Sequence, residues 1–151
     1  MEGSEPFHLW VVRVSWENGV VHRVRFARTG ERGPVPPLIR QYLQGKPVDL
    51  SVLRSPAEEG SSVRAAIYRA VRDVGYGETA TYGEIAARVG TSPRAVGQAM
   101  AHNPTPLVIP CHRITGARGL GGFSPDIEIK VRLLDMEARN SAERRKDPST
   151  G

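Results

Sequence analysis

The period of the hydrophobic pattern changes once along this chain, and that change limits the fold more than any other feature. Two valine-rich runs, Phe7 to Val14 and Val20 to Phe26, flank Glu17-Asn18-Gly19. Asn-Gly between β-prone runs is a strong signal for a hairpin with a tight turn. From Ser61 onward, apolar residues recur at helical spacing instead. The sequence therefore predicts an α/β (α+β) protein with a small strand-rich N-terminal unit and a helical C-terminal unit.

The composition between these patterns predicts the domain boundaries. A short helix over Leu38 to Leu43 stops at a Gly-Lys-Pro sequence, and residues 48–60 have the pattern of an extended linker. We predict a small α/β domain over residues 1–55, a helical domain over residues 56–138 and a disordered tail over residues 139–151, which is rich in charge. The first domain is too short to be stable without packing on the second.

Capping residues and apolar stripes predict the helices of the second domain. The first stripe comprises Val63, Ile67, Ala70, Val71 and Val74. Thr81 and Glu84 form a capping box for the next helix, which stops at Gly90. Ser92 and Pro93 have the residue types of an N-cap and a first helical position. A last helix is predicted to begin at Ser124-Pro125, with Asp126 and Glu128 in its first turn and an apolar face of Ile127, Val131, Leu133 and Leu134.

The two short helices joined by Val89-Gly90-Thr91 form a predicted helix-turn-helix, which is winged-helix-like in its setting. In such motifs the second helix enters a DNA groove, whereas an ordinary helical hairpin has the same pattern. The second helix has features that suit DNA. Its N-terminus favours phosphate, Arg94 lies near it, and Ala95 and Gly97 are small enough for close approach. We therefore take Ser92, Arg94, Ala95 and Gly97 as the candidate DNA-contacting residues.

Cys111 is the only cysteine of the chain and lies in Ile109-Pro110-Cys111-His112-Arg113. A single thiol forms no internal disulfide and cannot supply a cysteine-rich zinc site. It is then either a nucleophile or an inert buried side chain. The neighbours His112 and Arg113 are of the kind that lower the pKa of a thiol. These residues alone leave both interpretations open.

The charge of the chain suits an anionic partner. The net charge is +5, with 18 Arg against 3 Lys. Arginine favours bidentate phosphate contacts, although a GC-rich genome or adaptation to heat would give the same bias. No apolar run approaches the length of a membrane span, and the acidic N-terminus lacks the layout of a signal peptide. With a single unpaired cysteine, these features predict a cytoplasmic protein without a membrane partner.

Six stretches of the chain together resemble one known family, the O6-alkylguanine-DNA alkyltransferases, or methylated-DNA–protein-cysteine methyltransferases. They are Thr81-Tyr82-Gly83-Glu84-Ile85-Ala86, Ser92 to Met100, Asn103-Pro104, Ile109 to Ile114, Gly121-Gly122-Phe123-Ser124 and Lys130 to Glu137. They occur in the order of the family and cover residues 61–138. Residues 42–47 also resemble the end of the family's N-terminal unit.

The resemblance implies a function. Members of this family transfer the alkyl group of O6-alkylguanine, and of O4-alkylthymine, in double-stranded DNA to a cysteine, once and irreversibly, after the damaged base is flipped out. By resemblance the acceptor is Cys111, and no cofactor or metal is expected. Displacement at a saturated carbon needs a soft nucleophile, and a thiolate is the best that side chains offer. We expect a monomer. His8 and His22 have no cysteine partners for a structural zinc.

The resemblance also implies a role for each matching residue. It places Cys111, His112, Glu137 and Tyr82 in the catalytic set, as acceptor, base through a water, carboxylate that orients the base, and proton donor to the guanine. Glu128 and Asp135 are rival candidates for the carboxylate. Tyr82, Ile114, Phe123 and Ser124 are expected at the substrate pocket, and Asn103 and Arg113 as structural braces. Arg94 is expected to fill the gap that the flipped base leaves.

Three other functional classes fit the sequence less well. Alkyltransferase-like lesion-binding proteins lack the cysteine that this chain has. A helix-turn-helix regulator leaves Pro-Cys-His-Arg unexplained. A cysteine protease is disfavoured because adjacent side chains such as Cys111 and His112 rarely face each other. Two departures from the family, Phe123 in place of a frequent tyrosine and Pro125 after Ser124, bear on the tolerance of bulky alkyl groups.

Overall fold

The computed structural model describes the backbone of residues 1–146 and the side chains of residues 1–141. Its elements in chain order are β1 Glu2–Phe7, β2 Trp10–Glu17, β3 Val20–Ala27, α1 Pro37–Leu43, α2 Val63–Arg72, β4 Ala80–Thr81, α3 Tyr82–Val89, α4 Pro93–Ala101, β5 Ile114–Thr115 and α5 Ile127–Lys146. Short 3-10 turns lie at Leu50–Val52, Pro56–Glu58 and Cys111–Arg113. The predicted α+β class is confirmed.

The predicted hairpin is present and has one strand more than expected. β2 and β3 pair antiparallel around Asn18 and Gly19, which have the positive φ angles, 48° and 80°, of a tight hairpin turn. The predicted strand from Phe7 to Val14 breaks at His8, where φ is 54°. Residues before it form β1 and pair with β2. The sequence Glu-Gly-Ser-Glu-Pro has low strand propensity, so this strand results from pairing rather than from local preference.

The inner face of the three-stranded sheet forms one hydrophobic core with helices from both ends of the chain. Val12, Val24 and Phe26 point inward from the sheet. They share a cluster with α1, with residues 107–108 and with the buried face of α5. The predicted boundary between residues 55 and 56 therefore does not divide the hydrophobic core, and the division into domains stays a prediction.

A second core holds the helix-turn-helix together. Its members come from α2, α3, α4 and the segment around β5, and include Ile67, Val71, Ile85, Val96, Ala99, Ile109 and Ile114. The predicted caps are confirmed. Thr81 and Glu84 form the capping box, Gly90 ends α3 with φ 84°, and the Ser92 hydroxyl accepts the Ala95 N–H. A parallel pair of two-residue strands, β4 and β5, was not predicted.

The last helix differs from its prediction at both ends. It begins at Ile127, not at Ser124-Pro125. The carboxylate of Asp126, the residue before the helix, accepts the N–H of Glu128 in its first turn. The helix continues to Lys146, so the prediction of disorder is wrong for residues 139–146, while residues 147–151 lie outside the described part of the chain. The Asn140 amide donates to the Gly45 carbonyl of the N-terminal unit, which helps to explain why the helix does not end at residue 138.

The buried face of α5 was also predicted only in part. Ile129, Leu133 and Met136 are buried, together with the charged residues Lys130 and Glu137. Ile127 and Val131, predicted on the apolar face, are exposed, and Leu134 is half-buried. The buried residues 129, 130, 133, 136 and 137 follow the spacing of one helix face, and packing against the rest of the protein selects that face. This face carries two charged side chains into the protein interior, where each needs a partner.

Candidate active site

Cys111 is presented to a cavity by a tight turn. The turn Cys111–Arg113 follows Pro110, and the Cys111 and Arg113 N–H groups donate to the carbonyls of Ile109 and Pro110 at 2.7 and 2.9 Å. Only 7% of Cys111 is exposed. The cysteine lines a cavity of about 420 Å³. A site of this volume accommodates a small ring system.

The cavity is built by α3, α4 and the glycine-rich loop before α5. Its other lining residues are Tyr82, Gly97, Met100, Ala101, Asn103, Pro106, Gly122, Phe123 and Ser124. Three of the four predicted pocket residues are therefore at the cavity. Ile114 is not among its lining residues, because it is fully buried in the second core. Gly97, predicted to face DNA, also lines the cavity, so α4 contributes to the cavity as well as carrying the predicted DNA-contacting residues.

The Asn103 side chain connects the end of α4 to the turn that carries the thiol. Its amide nitrogen donates to the Ile109 carbonyl at 2.8 Å, and its carbonyl oxygen accepts the Thr105 N–H at 3.0 Å. This geometry agrees with the role of brace that was expected of Asn103. It couples the position of Cys111 to the helix-turn-helix.

Glu137 is the carboxylate that meets His112. Its Oε2 lies 2.6 Å from His112 Nε2, and both residues are buried, at 1% and 0% exposure. The rival carboxylates Glu128 and Asp135 form surface ion pairs with Arg132 and Arg139 one turn away. The helical phase of α5 therefore directs Glu137 inward and leaves both rivals outside.

Arg113 anchors this carboxylate from the other side. Its Nε and Nη2 donate to the two oxygens of Glu137 at 2.9 and 3.1 Å, and its Nη1 donates to the Val74 carbonyl at 2.8 Å. The Gly77 N–H adds a further hydrogen bond to Glu137 at 3.0 Å. The guanidinium is thus engaged by Glu137, and it joins the active-site turn to α5 as a structural brace would.

The protonation states follow from burial and from this pairing. Burial raises the pKa of the Cys111 thiol, although the Asn103 side chain and the Lys130 charge oppose it. The His112 backbone also lowers this pKa, as was expected of that neighbour, but burial outweighs all of these contributions. Burial lowers the pKa of His112 against the pull of Glu137. Burial alone would raise the pKa of Glu137, but His112 and Arg113 hold it well below its usual range.

These states define which nitrogen of His112 is free. An ionised carboxylate only accepts hydrogen bonds, so Nε2 carries the hydrogen and donates to Glu137. Nδ1 is buried and has no hydrogen-bond partner among the described residues. It is left with a free lone pair. A water molecule that bridges Nδ1 and the thiol would satisfy it.

The sequence analysis did not predict two ionisable side chains at the site, those of Lys130 and Tyr42. Lys130 Nζ donates to the carbonyls of Ile114 and Gly122 at 2.6 and 3.2 Å and lies 5.9 Å from the centre of the Tyr82 ring. Burial lowers the pKa of Lys130. The sequence offered one signal that Lys130 is buried, because this lysine directly follows the apolar Ile129 within a helix. Tyr42 belongs to α1, and only its tertiary contacts reveal it.

The predicted DNA-contacting residues lie at the N-cap of α4 and in its first half. Ser92 and Arg94 are exposed, and Ala95 and Gly97 are half-buried. The Ser92 hydroxyl is already used as the helix cap, so its first role is structural. Arg94 extends from the exposed first turn of α4, which begins at the Pro93 position.

The described residues contain neither a metal-binding cluster nor a membrane-spanning helix. Within residues 1–146, no group of three or more His, Cys, Asp or Glu residues is placed to hold a metal ion. In the same part of the chain, no helix has both the length and the apolar character that crossing a membrane requires.

Comparison of the chain with known proteins identifies a family to which it is similar. The family model described as the DNA-binding domain of 6-O-methylguanine DNA methyltransferase matches residues 62–139. A methylated-DNA–protein-cysteine methyltransferase of Sulfolobus acidocaldarius is 46% identical over 99 residues, which are 66% of this chain and 63% of that protein. The chain therefore matches less than two thirds of the length of this relative.

Solved structures extend the similarity to the whole fold. An O6-methylguanine methyltransferase of Mycobacterium tuberculosis has a TM-score of 0.74 at 27% identity and covers 92% of this chain and 93% of its own. A Mycobacterium tuberculosis OGT in complex with DNA also has a TM-score of 0.74, at 28% identity, with 91% and 92% covered.

Proposed function

Because this chain belongs to the family of 6-O-methylguanine DNA methyltransferases, we propose that it repairs alkylated DNA by direct reversal. The alkyl group of O6-alkylguanine, and of O4-alkylthymine, is transferred once and irreversibly to Cys111. The observation that carries this proposal is the solitary thiol at a cavity, one residue from a buried His112–Glu137 pair. The relatives named methylated-DNA–protein-cysteine methyltransferase support it.

The transfer is a displacement at a saturated carbon. The Cys111 sulfur forms a bond to the alkyl carbon while the bond from that carbon to O6 of guanine breaks, and the electron pair stays on the base. The product is a thioether at Cys111 and an unmodified guanine. Since the thioether has no leaving group that water can displace readily, one molecule repairs one lesion. The base gains one proton as it leaves and the thiol loses one, so the balance needs no co-reactant beyond the lesion.

The thiol needs a base because burial favours its protonated form. In the proposed step the thiol proton passes through a water to Nδ1 of His112. The resulting imidazolium is stabilised by the Glu137 carboxylate at Nε2, as in a triad. The free Nδ1 lone pair and the ionised Glu137 both support this route.

Tyr82 is proposed to assist the leaving base. It lines the cavity with Cys111, and burial raises the pKa of its phenol, so the hydroxyl is protonated at neutral pH. A hydrogen bond or proton given to the guanine ring as the bond to O6 breaks lets the base leave as a neutral molecule. Phe123 and Ser124 line the same cavity and are the proposed contacts of the base.

The proposed partner is double-stranded DNA, bound through α4 of the helix-turn-helix by a monomer in the cytoplasm. The exposed Arg94 would fill the gap of the flipped nucleotide, and the small residues Ala95 and Gly97 would let the helix approach the duplex. The similar OGT of Mycobacterium tuberculosis forms a complex with DNA, which supports DNA as the partner here.

Intact-mass analysis after incubation with a duplex that contains O6-methylguanine tests the proposal. We expect a gain of one methyl group, which Cys111→Ser abolishes while DNA binding is kept. No gain, with tight binding of the lesion, would instead assign the chain to the non-catalytic, alkyltransferase-like lesion binders. Loss of DNA binding in Cys111→Ser would point to a structural cysteine.

A further inference from the structure

Tyr42 reaches the His112–Glu137 pair from the N-terminal unit. It lies on α1, 70 residues before His112 in sequence, and is fully buried. Its hydroxyl donates to Glu137 Oε2 and lies 3.2 Å from His112 Nε2. Its ring packs edge to face on Tyr76, over which the Arg113 guanidinium lies at 5.7 Å. The resemblance at residues 42–47 assigns no role to this hydroxyl.

The direction of this hydrogen bond determines what faces His112. A tyrosine hydroxyl has a single hydrogen, and here it points to the carboxylate. The hydroxyl oxygen can then only accept a hydrogen bond from Nε2. Both groups that face Nε2, the carboxylate and the hydroxyl, are therefore acceptors. The hydrogen of neutral His112 is placed on Nε2, and Nδ1 stays free on the opposite side of the ring.

The same hydrogen bond changes the charge that His112 experiences. Five donors surround Glu137: the Arg113 Nε and Nη2, the Gly77 N–H, the His112 Nε2 and the Tyr42 hydroxyl. Each takes up part of the carboxylate charge. Burial and the Glu137 charge raise the pKa of Tyr42 well above its usual value, so the hydroxyl keeps its hydrogen and remains a donor.

We propose that Tyr42 is a positioning residue of the active site, whose hydroxyl holds His112 as the Nε2–H tautomer and restrains the basicity of Glu137. The thiol proton then rests on His112 and not on the carboxylate. This inference rests on the proposed function only in naming the proton that His112 receives. It also makes docking of the N-terminal unit a condition for a competent His112.

The first test is the tautomer of His112 in the unaltered protein. In protein labelled with ¹⁵N-histidine, two-bond proton–nitrogen correlations by NMR distinguish hydrogen on Nε2 from hydrogen on Nδ1. We expect the Nε2–H form at neutral pH. The Nδ1–H form would overturn the proposal. Because this measurement needs no variant, it holds even if a substitution at Tyr42 prevents folding, and because it needs no DNA, it is independent of the transfer reaction.

The second test removes one atom, in Tyr42→Phe. With one donor fewer on Glu137, the imidazolium is better stabilised, and the titration midpoint of His112 should rise by about one pH unit. The groups that face His112 otherwise remain: Glu137 and Lys130 from α5, and Arg113 from its own turn. The matched control is Tyr68→Phe, since Tyr68 is also buried and donates to the Ala99 carbonyl. An equal change in both variants would overturn the proposal.

The third readout is the pH profile of single-turnover methyl transfer. In Tyr42→Phe the acidic limb of the profile should move to higher pH together with the titration midpoint of His112. At pH values below the midpoints of both proteins, the variant should therefore transfer the methyl group about tenfold more slowly than the wild type, while the rate at pH 8 changes little. A purely structural role would lower the rate equally at every pH. If neither protein transfers a methyl group, the proposed function fails, whereas the NMR midpoints still decide the role of Tyr42.

Discussion

At the scale of the residue, the reactivity of Cys111 depends on a base because its surroundings do not ionise it. Burial raises the pKa of the thiol, and the guanidinium of Arg113 is engaged by Glu137. A buried thiol of this kind is protected from adventitious reaction until a base removes its proton. The arrangement suits the proposed function, in which Cys111 reacts once and only with the correct substrate.

Glu137 is expected to matter for stability as well as for chemistry. Glu137→Gln removes the charge that compensates buried Arg113 and should lower the free energy of unfolding by about 3–5 kcal/mol. The control is Glu128→Gln, which removes one partner of a half-exposed surface pair with Arg132 and should cost at most about 1 kcal/mol. Urea unfolding at pH 7.5 measures both. Equal losses would contradict the buried pairing.

At the scale of the element, the glycine-rich loop before α5 positions Tyr82. Gly121 has φ 76°, and a Cβ there would lie 2.5 Å from the Tyr82 hydroxyl. The neighbouring Gly119 has open space where its Cβ would be. Lys130 ties this loop to the active-site turn through the Gly122 and Ile114 carbonyls. The loop is therefore held against the proposed proton donor at one defined point.

Gly121→Ala should displace Tyr82 and slow methyl transfer by on the order of 10²-fold, because the donor must be placed to within about 1 Å. The thermal midpoint should also fall by a few degrees, because alanine at φ 76° costs about 1–2 kcal/mol. Gly119→Ala is the matched control and should transfer at the wild-type rate. Single-turnover kinetics with circular-dichroism melting measure both effects. Equal rates in the two variants would show that contact with Tyr82 is unimportant.

The start of α4 is expected to act only when the base is in a duplex. Arg94→Ala should slow repair of duplex O6-methylguanine by about tenfold, because flipping costs a few kcal/mol that the inserted guanidinium partly offsets. Reaction with the free base should be unaffected. Arg139→Ala, which removes an exposed arginine from α5, should leave both rates unchanged. Equal losses of Arg94→Ala on both substrates would exclude the insertion role.

At the scale of the whole molecule, the buried His112–Glu137 pair makes the free energy of unfolding depend on pH. His112 has a lower pKa when folded, so below about pH 6.5 the unfolded chain binds a proton that the folded protein does not. Glu137 also has a lower pKa when folded, and the unfolded chain takes up that proton below about pH 4.5. Both effects lower stability as pH falls.

The free energy of unfolding should therefore fall by up to about 2 kcal/mol between pH 7 and pH 5 through His112. It should then fall further below pH 4.5, where the unfolded chain binds a proton at Glu137 and the folded protein does not. Urea titrations at pH 7, 6, 5 and 4 measure this dependence. A constant stability between pH 7 and pH 5 would mean that His112 is protonated in the folded protein, contrary to its burial.

The sequence by itself determined those features whose interactions close within a few residues. The Asn18-Gly19 turn, the Thr81–Glu84 capping box and the Ser92 cap are all local hydrogen-bonded or steric patterns, and each is present. The α+β class follows from the change of hydrophobic period. The motifs of the family identified Cys111, His112 and Glu137 as residues to be considered together, although roles within the site remain proposals.

Only the tertiary structure decided which side chains meet across long separations. The strand β1 forms because β2 pairs with it, Ile114 is drawn into a core, and α5 continues past residue 138 where Asn140 contacts Gly45. The Tyr42–Glu137 hydrogen bond joins residues 95 apart. No local pattern specifies such contacts, because they depend on how the packed elements bury their faces together and satisfy the polar groups left inside.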